Sequence, residues 1–113
     1  MKSYRTINQE QRQLTAAYRQ AGPGPLQAFA ALHQAVMTPG ELDVKVKELI
    51  AIGIAIAARC DGCIASHVGA ALKAGASRQE LVEAIGVAIL MGGGPSSVYG
   101  AQALSAVDEL AAI

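Results

Sequence analysis

Residues 43–67 read DVKVKELIAIGIAIAARCDGCIASH, and the fold is decided within them. Asp43 is placed to cap a helix that opens with Val44-Lys45-Val46-Lys47-Glu48 and continues through LIAIGIAIAA to about Arg59. Beyond Leu49 this helix is apolar all round, which predicts burial on several sides. Its most apolar run, Leu49 to Ala58, is far shorter than the roughly 20 residues needed to cross a bilayer. Asp61-Gly62 offers a turn between two cysteines. A further helix then carries Cys63, His67, Ala71 and Leu72, with Gly75 suited to cap its end.

Helical signals continue on both sides of this segment. Upstream, a polar stretch from about Tyr4 to Gln20 carries Ile7, Leu14 and Tyr18, and Gly22-Pro23-Gly24 stops it. Pro25 then suits a first helical turn, and Leu26, Phe29, Ala30 and Leu32 follow at helical spacing until Pro39-Gly40. Downstream, Ser77-Arg78-Gln79-Glu80 fits a capping box, so a fifth helix runs to about Met91. Gly92-Gly93-Gly94 interrupts it, and Pro95 starts a last helix ending near Leu110. The expectation is an all-α compact bundle of about six helices in one domain, with 1–23 as an N-terminal helix and 24–113 as the core.

Composition narrows the function. A chain of 113 residues has room for one hydrophobic core. Nine Lys and Arg balance nine Asp and Glu, so no broad field gathers nucleic acid or an anionic membrane. The hydrophobic fraction of 52% is high for so small a chain, which predicts that subunit interfaces hide the excess. The opening MKSYRTINQEQRQ lacks the apolar core of a secretory signal, giving a cytoplasmic expectation. The only two cysteines lie in one Cys-x-x-Cys, whereas a structural disulfide framework would tie distant segments together.

The chemistry starts from the thiolate, the nucleophilic form of cysteine. Unpaired N–H groups and the positive dipole end at a helix start stabilise a sulfur anion, an effect expected here for Cys63. His67 stands four residues beyond Cys63, on the same helix face, where its imidazole can take the thiol proton. Cys60 is near enough to close a disulfide once its neighbour is oxidised to sulfenic acid. Glu48 would lie about 18 Å from Cys60 along one continuous helix. If the chain reverses around Cys60, Glu48 instead comes alongside a later turn of the next helix, with His67 as its partner. The result is a relay from Glu48 through His67 to Cys63, with Cys60 resolving the oxidised product.

Glu48-Leu49-Ile50-Ala51, Cys60-Asp61-Gly62-Cys63 and His67 together reproduce the Glu, Cys, Cys, His spacing of a known family. From roughly Gly24 to Leu110 the chain resembles the alkylhydroperoxidase D-like branch of the carboxymuconolactone decarboxylase family. The resemblance implies an all-α subunit that assembles as a trimer or hexamer. It also implies a peroxidase or disulfide reductase acting on small hydroperoxides, recycled by a lipoyl or thioredoxin-like dithiol and needing no tightly bound cofactor. Carried over by position, Glu48, Cys60, Cys63 and His67 are the functional set. The founding lyases of the family lack the cysteine pair, which argues against a decarboxylase here. In one respect the chain departs from the peroxidases it resembles: they carry a histidine just before the second cysteine, where this chain has Gly62.

Other readings of the same residues are simpler. The cysteines could be two small buried thiols at a helix junction. A zinc site would need four ligands, and no second ligand pair is present. Glu48 could merely favour an early helical turn, and His67 could face a neighbouring subunit. His33, with no cysteine or carboxylate at a telling spacing, reads as packing or surface, and Tyr99 reads as core. A non-catalytic, redox-responsive helical oligomer is the rival to an enzyme.

Overall fold

Asp43 caps its helix as its side chain suggests, Oδ1 accepting the Val46 N–H at 2.9 Å. The computed structural model describes residues 1–112, which form six helices with no strand among them. These are α1 (Tyr4–Ala21), α2 (Pro23–Met37), α3 (Val44–Ala57), α4 (Asp61–Lys73), α5 (Arg78–Gly92) and α6 (Gly94–Ala111). The capping box at Ser77 is complete: its Oγ accepts the Glu80 N–H at 3.1 Å, and Glu80 Oε1 accepts the Ser77 N–H at 2.9 Å.

Helices α3, α4, α5 and α6 enclose the core, each packing on at least two of the others. Ile52 and Ile56 from α3, Ile64 and Val68 from α4, Leu81 from α5 and Ala103 and Val107 from α6 are shut off from solvent. Burying a side chain of this size stabilises the fold by roughly 1.5–3 kcal/mol, so these positions carry most of the hydrophobic driving force. Between α5 and α6 the backbones approach closely at Gly100, where an added Cβ would stand 2.9 Å from Ile85 Cγ2.

The reversal between α3 and α4 differs from the turn expected at Asp61-Gly62. It falls at Arg59, whose φ of 57° places it in the left-handed region usually given to glycine. The Arg59 N–H donates to Ile56 O at 3.1 Å and the Cys60 N–H to Ala55 O at 3.1 Å, the paired bonds of a Schellman motif. Asp61 and Gly62 are therefore already helical, and α4 starts two residues earlier than the Asp-Gly pair suggests. Gly75, at φ 92°, ends α4 as expected.

Two further expectations need correction. The stripe assigned to α1 is largely exposed: Leu14 and Tyr18 face outward, and Tyr4 is the residue that enters the core. α3 is not covered all round, since Ile50 and Ile54 are half exposed or more. With Val87 and Met91 of α5 they line an open apolar groove of about 440 Å3. α2 has no buried residue, and Phe29, Leu32 and Val36 lie open on it.

Candidate active site

Cys60 belongs to two helix ends at once. Its N–H completes the Schellman turn of α3, and its side chain is the N-cap of α4, Sγ accepting the Cys63 N–H at 3.1 Å. The sulfur at the positive end of α4 is thus that of Cys60, not Cys63 as the Asp-Gly turn had suggested. Cys63 sits one turn inside the helix and is exposed, whereas Cys60 is half-buried. The two form a disulfide, with Cα atoms 5.2 Å apart.

The first turn of α4 is pinned from α1. Asp61 Oδ2 accepts from Lys2 Nζ at 2.8 Å, and Oδ1 accepts from the Tyr4 hydroxyl at 3.0 Å. Gln102 Oε1 on α6 accepts from Lys2 Nζ as well, at 2.6 Å. Burial, reinforced by the hydrogen bond to Asp61 and its negative charge, holds the Tyr4 phenol protonated well above its usual range. The sequence signal for this anchor is faint, because an aromatic three residues from a terminus commonly frays.

Across the α3–α4 hairpin, Glu48 and His67 meet. The Oε1 of Glu48 lies 2.8 Å from His67 Nδ1, with Glu48 side-chain exposure at 4% and His67 at 23%. With an ionised carboxylate as acceptor Nδ1 carries a ring proton, and in the neutral imidazole Nε2 then presents its lone pair. His67 stands one turn beyond Cys63 on the same helix face. No hydrogen bond joins it to either sulfur among the described residues, in keeping with a disulfide that has no proton to give.

The four residues singled out from the sequence thus form two contacting pairs on one hairpin, Glu48 with His67 and Cys60 with Cys63. His33, read from its neighbours as packing or surface, stacks on His67 with ring centroids 6.4 Å apart and planes inclined by 27°. Only the tertiary placement of α2 brings it there. No group of three or more His, Cys, Asp or Glu side chains is arranged to hold a metal among the described residues.

An all-α subunit with a Cys-x-x-Cys disulfide at a helix N-terminus defines the alkylhydroperoxidase D-like class. The chain belongs to the carboxymuconolactone decarboxylase family, whose profile matches residues 23–106. A family member from Legionella pneumophila, solved without ligand, superposes with a TM-score of 0.92 at 41% identity, over 95% of this chain and 96% of that one. A Thermotoga maritima member, described with a suggested part in the antioxidative response, superposes with a TM-score of 0.82 at 32% identity, over 94% and 90% of the two chains. An uncharacterized protein of Cupriavidus necator is 40% identical over 94 residues, covering 83% of each chain. Protein 4 of the cox locus of Paracoccus denitrificans, also uncharacterized, is 38% identical over 90 residues, covering 80% of this chain and 81% of that one.

Proposed function

We propose that this protein is a thiol peroxidase and disulfide reductase of the antioxidant type, cycling Cys60 and Cys63 between dithiol and disulfide. The observation that carries this reading is the coincidence on one hairpin of a helix-capping disulfide and a carboxylate-held imidazole one turn away. A structural disulfide would have no use for the second pair.

In the reduced protein His67 Nε2 takes the proton of Cys63, the more exposed sulfur. The Cys63 thiolate attacks the nearer peroxide oxygen, the O–O bond breaks, and the alkoxide leaves as alcohol after accepting the proton from His67. Cys63 is now a sulfenic acid. Cys60, kept as thiolate by the start of α4, attacks that sulfur and expels hydroxide, which leaves as water. A dithiol partner of the lipoyl or thioredoxin-like kind then reduces the disulfide by two successive exchanges. Small organic hydroperoxides fit an Ala- and Gly-rich neighbourhood with few aromatic platforms.

The apolar groove between α3 and α5 and the open face of α2 supply the surface through which copies of the chain assemble, as the apolar composition requires. The test of function is peroxide consumption with dihydrolipoamide or dithiothreitol by wild type, Cys63→Ser and Cys60→Ser. Turnover is expected in wild type alone. Equal turnover in all three removes the mechanism, and activity on a lactone that survives replacement of both cysteines favours a lyase instead.

A further inference from the structure

On the side of α4 away from Glu48, an open groove of about 990 Å3 runs between α1 and α4. One stripe of α4 forms a wall, with Gly62, Ser66, Ala70 and Lys73 at helical spacing, while Arg12 and Arg19 project from α1. Among the described residues no carboxylate side chain lines the groove, and none of its three cations enters an ion pair. Arg19 and Lys73 stand in the last turns of their helices, where a cation also offsets the dipole, but Arg12 is mid-helix and has no such duty. In a chain of formal net charge +0 this is a local segregation of charge.

The groove adjoins the redox pair. Gly62, which lines the groove, lies between the two cysteines, and Ala70 lies two turns beyond Cys63, so the groove reaches the turn of α4 that carries the pair while neither cysteine lines it. A groove this open, at the upper end of the size range of small-molecule pockets and rimmed by cations, suits a charged surface in a brief encounter better than an enclosed ligand.

We propose that this groove docks the acidic flank of the protein dithiol that reduces the Cys60–Cys63 disulfide, an inference that rests on the redox reading above. One partner thiolate attacks a sulfur of the pair, forming a mixed disulfide and freeing the other cysteine as thiolate. The partner's second thiolate then displaces the remaining cysteine. Two electrons pass to the protein, and the partner leaves as a disulfide.

The experiment is single-turnover reduction of the oxidised protein, followed by acid quench and thiol alkylation. The probes are a reduced Cys-Gly-Pro-Cys peptide flanked by glutamates, the same peptide flanked by lysines, and dithiothreitol. The glutamate peptide is expected to react about 10-fold faster than the lysine peptide at low salt, with the advantage collapsing near ~1 M salt. Combined Arg12→Gln, Arg19→Gln and Lys73→Gln replacement should erase the preference and leave the dithiothreitol rate unchanged, with an unchanged circular dichroism spectrum showing that the variant is folded. Equal peptide rates on wild type, or a preference that survives the triple replacement, overturns the proposal. A clear peptide preference with no peroxide turnover would instead sink the peroxidase reading and leave the docking site standing.

Discussion

Glu48 and His67, separated by 19 positions in sequence, meet at 2.8 Å between Oε1 and Nδ1 with the carboxylate almost wholly buried. A buried carboxylate that holds an imidazole by one nitrogen fixes the tautomer and leaves the other nitrogen basic. Glu48→Gln preserves shape but can present its amide N–H to Nδ1, which favours the wrong tautomer. Peroxide kcat/KM is expected to fall at least ~10-fold in Glu48→Gln and about 100-fold or more in His67→Gln, within the range typical of a lost proton acceptor. Wild-type rates in His67→Gln would remove the imidazole from the mechanism.

Cys60 has a different task from Cys63, because its sulfur receives the Cys63 N–H at the start of α4. Cys60→Ser keeps an N-cap, since a hydroxyl accepts the same bond, so the helix should persist. Without a resolving thiolate, one peroxide equivalent is consumed and Cys63 stops as sulfenic acid, detectable by dimedone labelling and mass spectrometry. Sulfenic acid labelling of Cys60 in the Cys63→Ser variant, with none of Cys63 in Cys60→Ser, would reverse the two roles.

The sequence made most of the helices legible because their ends carry chemistry that acts locally: Asp43, Ser77 with Glu80, Gly75 and Pro95 each satisfy or terminate a backbone within a turn. The Glu48–His67 pairing was also accessible, since a reversal near Cys60 leaves few alternatives. What misled was Asp61-Gly62, a strong turn signal overruled by Arg59, a residue that seldom takes the left-handed conformation. That exchange moved the helix start and with it the sulfur that caps α4. The roles of Tyr4 and His33 depend on where α1 and α2 dock, which no local pattern encodes.

Gly100 marks a close approach of α6 to the middle of α5. An added methyl would meet Ile85 Cγ2 at 2.9 Å and Ile89 Cδ1 at 3.2 Å. Alanine is the better helix former by about 0.5–1 kcal/mol, but overpacking a filled core costs ~1–3 kcal/mol, so the clash should win. Gly100→Ala is therefore expected to lower the denaturation midpoint in urea. By contrast Gly62→Ala, whose Cβ would stand 3.9 Å from the Gln11 side chain, should be neutral or stabilising. A stabilised Gly100→Ala would show that α5 and α6 have slack.

Tyr4 gives the fold a dependence on alkaline pH. Its phenol is raised above the ordinary value chiefly by burial and then by Asp61, so the native state holds a proton that the unfolded chain releases near pH ~10. The stability linked to it is fully present below that pH and is lost as pH rises toward the folded value. The slope is about 1.4 kcal/mol per pH unit for one proton. Tyr4→Phe loses the bond to Asp61 and should be less stable at neutral pH, yet its stability should fall less steeply between about pH 10 and 11. Parallel slopes in urea titrations of the two proteins would place the ionising group elsewhere.

Ile54, 64% exposed, and Met91, 79% exposed, stand at the apolar groove between α3 and α5. Leaving such side chains in water forfeits roughly 1.5–3 kcal/mol for each one that an interface would bury fully. A charge placed there adds the cost of desolvating it against another apolar face. Ile54 lies outside the buried core, so Ile54→Glu should leave the subunit folded by circular dichroism. Sedimentation velocity is expected to show wild type as a trimer or hexamer and Ile54→Glu as a smaller species. A wild type that sediments as a monomer at micromolar concentration would leave the groove without an occupant of this kind and return the excess of apolar residues to be explained.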